Sequence, residues 1–164
     1  MNVTDLSDLT DDGDTYELPD GRTLRLRFEP DDINPFDDNP DFYGLIAWTE
    51  RHRDYVGDAQ RPEGFNGAAR KLWAGGDRFW WQPPKDVIEQ GPDAVESMAS
   101  QVKELAEYGY CCLILEVLYG EDAYHRPIVV AATSLGGIEP FPDNDYVREV
   151  VQEQLAELGL EVPA

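Results

Sequence analysis

Residues 110–119, YCCLILEVLY, constrain the fold more than any other segment of the 164-residue chain. A run so nearly continuous in apolar side chains reads as a strand covered on both faces. Such a strand needs neighbours along both edges and a layer packed over it. Glu116 interrupts the run. A carboxylate there sits either on an exposed face or beside an arginine. After the turn GEDAYHRP, a second apolar strand, RPIVVAATS over 126–134, completes a long hairpin.

Other strands come from alternation. Leu24, Leu26 and Phe28 alternate with Arg25 and Arg27 after Pro19-Asp20-Gly21, predicting a hairpin with strands at 14–18 and 22–29. FYGLIAWTE at 42–50 reads as a buried strand, and RKLWAGGDRFWW at 70–81 as a hairpin that Gln82-Pro83-Pro84 ends, a short helix at 67–73 being the alternative. Phe79 and Trp81 then share one face, and Trp80 takes the other.

Two helices follow from 3.6-residue spacing. The first spans 93–108, with Asp93 and Glu96 as a capping box and Gly109 as its stop. The second spans 143–158, started by Asp143 and stopped by Gly159-Leu160. The expected class is α+β: an antiparallel or mixed sheet of about five to seven strands, with two main helices packed on it. Residues 1–13 read as an acidic flexible tail. Residues 14–164 read as a single domain, EPDDINPFDDNPD and the segment 51–67 being loops.

Charge narrows the partners. The chain has 34 acids, 13 bases and a net charge of −21. Residues 1–60 hold 16 acids against 5 bases, and residues 92–164 hold 14 against 3. Between them, residues 61–91 are nearly neutral and carry Phe65, Trp73, Phe79, Trp80 and Trp81. Direct nucleic-acid binding through a basic surface is excluded, and anionic membranes repel the chain. With no long apolar run and no basic, apolar start at the N-terminus, the expected location is cytoplasmic. Ten Arg against three Lys, with so many acids, also suit a salt-adapted or simply soluble surface.

Motifs for chemistry are sparse. Cys111 and Cys112 are adjacent, so they point to opposite faces of a strand and form no ordinary disulfide. Loops starting at Asp8 and Asp32 fail the calcium pattern. Ser134 before Leu135-Gly136-Gly137 lacks a nucleophile-elbow pattern, and His52 lies between two arginines in a loop. Glu121, Asp122 and His125 form the strongest candidate set for a small metal-dependent enzyme, but a single histidine seldom suffices. No catalytic residue, metal or cofactor is expected.

Binding is the alternative to catalysis. Trp73, Arg78, Trp80 and Trp81 are the residue types that dominate protein interfaces. They are the candidate protein-binding set, with an acidic rim. The acids offer a second mode, in which the chain imitates DNA before a basic nucleic-acid-binding protein, as antirestriction and anti-CRISPR inhibitors do. Twenty-one charges at duplex density match roughly 36 Å of DNA. The candidate surface comprises Asp31, Asp32, Asp37, Asp38 and Asp41, with Asp143, Asp145, Glu149, Glu153 and Glu157.

The stretches GGDRFWWQPP, EYGYCCLILEV and RPIVVAATSLGG resemble small acidic proteins of actinobacteria and their phages, over roughly residues 15–160. The resemblance implies a phage or mobile-element accessory protein that binds and modulates a host protein. It carries over no activity and no functional residue. The expected function is therefore non-enzymatic protein binding.

Overall fold

The computed structural model of the chain describes residues 1–48 and 61–161, so His52 and the end of the strand expected at 42–50 lie outside the described residues. The class is α+β. The strands divide between two compact units: Met1–Asp31 with Cys111–Ala164, and Asp32–Tyr110. Each unit has its own sheet, long helix and core.

The first unit holds β1 (Asn2–Val3), β2 (Thr15–Glu17), β3 (Thr23–Pro30), β7 (Cys111–Glu121), β8 (Pro127–Ile138) and helix α5 (Asn144–Glu157). Its sheet order is β1-β2-β3-β7-β8. β1 and β2 are parallel, and the other pairs antiparallel. β7 lies between β3 and β8, as its composition requires. Leu24 and Leu26 of β3 face Val117 and Leu115 of β7, and Val147, Val150 and Val151 of α5 pack into the same core. Glu116 is buried on the opposite face and meets two arginines of β3: Arg25 Nε at 2.6 Å and Arg27 Nη1 at 3.2 Å. Of the two alternatives for this carboxylate, exposure or an arginine partner, the second forms across the β3–β7 register.

The N-terminus is not a flexible tail. β1 pairs with β2, a 3-10 turn spans Leu6–Asp8, and Val3 and Leu9 are buried. Acidic composition suggests disorder, but Val3, Leu6 and Leu9 supply enough apolar surface to anchor the segment. Buried Asp14 completes the anchor. It accepts the Asp11 amide at 2.9 Å and lies 3.1 Å from the Met1 ammonium.

The second unit holds α1 (Pro35–Asp38), α2 (Pro40–Tyr43), β4 (Leu45–Trp48), β5 (Arg70–Ala74), β6 (Asp77–Gln82), α3 (Lys85–Gln90) and α4 (Pro92–Tyr108). Its sheet order is β4-β6-β5, all antiparallel. The acidic segment expected as a loop forms two helical turns instead, each opened by a proline, with Asn34 capping the first through the Phe36 amide. These turns also take Phe42 and Tyr43 from the strand expected at 42–50.

Helix α4 starts one residue before the expected capping box. Gly91 is the N-cap and Pro92 the first helical residue, with no side-chain cap. Glu96 pairs with Arg70 of β5 at 2.5 Å instead. That contact, first of all its hydrogen bond, holds the Glu96 carboxyl below its ordinary pKa. Helix α5 follows expectation at both ends. Asp143 accepts the Tyr146 amide at 2.9 Å. Beyond Leu158, Gly159 turns left-handed at φ 68°. Leu160 and Gly159 then donate to the carbonyls of Leu155 and Ala156.

Candidate aromatic and cationic face

The pleat of the three-stranded sheet sorts the tryptophans. Register pairs Trp73 with Arg78 and Lys71 with Trp80, so these four side chains share one face. Leu72, Phe79 and Trp81 take the other face and pack with Ala99, Val102 and Leu105 of α4.

Trp81 therefore leaves the candidate set. It is 0% exposed, and its indole Nε1 donates to the Tyr43 carbonyl at 2.7 Å. Trp73 is 54% exposed. The Arg78 guanidinium carbon lies 3.7 Å from the Trp73 ring centroid, and Lys71 Nζ lies 5.4 Å from that of Trp80. Each pair is worth roughly 0.5–1 kcal/mol at such sites. The stacking also matters for binding. A guanidinium already held over an indole loses little further freedom when a partner covers it. Trp80 is half-buried, and its Nε1 is buried without a hydrogen-bond partner. Lys71 is absent from the sequence-based set, although its place two residues before Trp73 on a strand puts both on one face.

The candidate acids fall into two groups. On α5, Asp145, Glu149, Glu153 and Glu157 recur every fourth residue and are exposed. Their rise is about 6 Å per step, over which duplex DNA carries roughly three to four charges. Three of the helix's five candidate acids also make internal bonds: Asp143 caps, Asp145 holds Arg148 at 2.6 Å, and Glu157 accepts from Thr133 at 2.8 Å. In the segment at 31–41, Asp31 accepts the Gly137 amide at 2.7 Å, and Asp37 and Asp38 accept from Asn34 and Asn39. Asp32 and Asp41 are exposed.

Glu121, Asp122 and His125 lie together in one turn. Asp122 accepts the amides of Tyr124 and Arg126 at 2.8 and 3.0 Å, and Arg126 Nε at 2.8 Å. The Arg126 amide, first among these, keeps the Asp122 carboxyl below its ordinary pKa. His125 Nδ1 lies 3.1 Å from Glu121. Among the described residues no three His, Cys, Asp or Glu side chains converge to hold a metal. A groove of about 680 Å³ in the second unit has Asp41, Asp86 and Glu89 in its lining.

Cys111 and Cys112 are not joined in a disulfide, and each is half-buried. Burial pushes the Cys111 thiol above its ordinary pKa. Among the described residues no helix is long and apolar enough to cross a membrane. No family model, curated protein or solved structure matches the chain.

Proposed function

We propose that this chain is a non-enzymatic protein-binding module that engages its partner through the outer face of β5 and β6. Trp73, Arg78, Lys71 and Trp80 form the contact, and the acids of the chain act as a charged rim. The observation that carries this reading is the exposed Trp73 ring with Arg78 stacked on it at 3.7 Å. The exposed indole offers a large, rigid contact area, and Trp and Arg are among the residues most enriched at binding hot spots. The net charge of −21 favours a basic partner and speeds the encounter. The proposed partner is therefore another protein, of basic character, and the role that of an accessory protein modulating it.

DNA mimicry is the second reading, supported by the exposed row Asp145, Glu149, Glu153 and Glu157 on α5. Its charge density falls well below that of a duplex, so the aromatic face is the better-supported site.

Capture from a lysate of the source organism separates the two. The immobilised chain, its Trp73→Ala/Arg78→Ala variant and a Glu149→Gln/Glu153→Gln variant are compared at low and high salt. Loss of a partner by about 30-fold in the first variant, with retention at high salt, is the expected result. A partner that ignores the first variant but is lost with the second, or with salt, would establish mimicry. No specific partner at either salt would overturn both.

A further inference from the structure

The groove of the second unit has fixed walls. Gly44, at φ 91°, lies so close to β6 that a Cβ there would come within 2.1 Å of the Gln82 carbonyl oxygen. Gln82 is buried and held at both ends of its amide. Its Oε1 accepts the Asn66 amide at 2.9 Å, and its Nε2 donates to the Pro83 carbonyl at 3.3 Å. Leu45, Pro83, Pro84 and Ile88 supply apolar lining, and the volume of about 680 Å³ exceeds that of any single side chain.

The charge of the lining is one-sided. Lys85 is its one base among the described residues, and it pairs with Glu89 at 3.8 Å. Asp41 and Asp86 are exposed, and neither carboxylate has an ion pair or hydrogen bond among the described residues. Unpaired carboxylates beside an apolar wall suit a cationic head on an apolar stem, which is the build of an arginine or lysine side chain.

The groove also continues the aromatic and cationic face. Register sets Leu45 opposite Gln82 and Ala47 opposite Trp80, and alternation puts Arg78, Trp80 and Gln82 on one side of β6. Gln82 lies four residues beyond Arg78, about 13 Å along an extended strand.

We infer that the groove takes an arginine or lysine side chain from an extended segment of the partner, whose residue four positions away lies over Trp73 and Arg78. This rests on the reading of β5 and β6 as the contact face, and it gives the basic partner of that reading a local motif. Net charge would draw a base to any part of the surface. Asp41 and Asp86 select this place, because they lack a partner and adjoin apolar surface that can cover the stem. Continuity with the open Trp73 ring favours an extended chain over a free amine.

Titration of the isotope-labelled full chain with the end-capped peptides RTVTL and LTVTR, followed by NMR, tests this. One of the two should shift the amides of Leu45, Gln82 and Ile88 together with those of Trp73 and Arg78, whereas ETVTL should shift neither group. Asp41→Asn/Asp86→Asn should weaken binding by about tenfold. Glu149→Gln/Glu153→Gln removes the same charge from α5 and should weaken it by less than about twofold. Leu45→Ala, at an exposed position, should weaken it by about threefold and serves if circular dichroism shows that the first variant is misfolded. Equal losses in the two double variants would reduce the attraction to net charge and overturn the inference. So would the absence of shifts at the groove, binding of ETVTL as tight as that of RTVTL, or binding of N-acetylarginine amide as tight as that of either peptide. Capture from lysate separates this from the reading beneath it. A partner lost with Trp73→Ala/Arg78→Ala but held by Asp41→Asn/Asp86→Asn leaves the face standing and removes the groove, and a partner indifferent to both variants removes both.

Discussion

Trp73 and Trp81 show how one residue type divides between binding and packing within a single hairpin. Trp81 is enclosed, so Trp81→Ala is expected to cost about 3–5 kcal/mol of stability in urea unfolding. Trp73→Ala should cost less, about 1–2 kcal/mol, since only about half of the ring is buried. Equal losses at the two positions would contradict the assignment of faces. Asp14 offers a pH test. Burial alone would raise its pKa, but the amides of Asp11 and Thr10 and the Met1 ammonium together lower it. The folded value therefore lies below the unfolded one. The resulting stabilisation is complete above about pH 4 and is lost as pH falls through the folded value. Asp14→Asn should destabilise the protein by about 1–3 kcal/mol at pH 7, with the gap to wild type closing in acid. A gap that is constant with pH would remove the ionised carboxylate from the account.

At the scale of elements, α5 has both of its ends specified locally, and each end can be tested alone. Asp143→Ala removes the bond to the Tyr146 amide and should cost about 1 kcal/mol. Gly159→Ala forces a Cβ into left-handed backbone at φ 68° and should cost about as much. The pair should be additive, because the two ends share no partner. Thermal unfolding of both single variants and the double variant measures this. Helix α4 is the contrast. The motif Asp-x-x-Glu was legible, but Pro92 begins the helix earlier, and Arg70, distant in sequence, takes Glu96. Likewise β6 lies between β4 and β5, although its two neighbours come before it in sequence.

The whole molecule is governed by its net charge. Repulsion among acids opposes the compact state, and salt screens it. The melting temperature should rise by several degrees as sodium chloride is raised from low to roughly half-molar concentration. A fall would mean that ion pairs such as Arg25–Glu116 outweigh the net repulsion. The tryptophans, at 48, 73, 80 and 81, all fall within Asp32–Tyr110.

Local pattern by itself determined the α+β class, the hairpins, both long helices, the ends of α5 and the opposition of Trp80 to Trp81, because these depend on residues a few positions apart. Only the tertiary structure decided the rest. It divided the strands between two sheets and drew the acidic N-terminus into one of them. It stacked Arg78 on Trp73, gave Glu116 its two arginines, and left the uncharged β8 at an edge. The physical reason is that composition averages over a segment, whereas burial and pairing depend on which distant segment arrives beside it. Val3, Leu6 and Leu9 are a small minority among acids and polar residues, yet a neighbouring sheet makes them core. β8 reads simply as the second apolar strand of a hairpin until the sheet order shows that no strand among the described residues pairs with its far side.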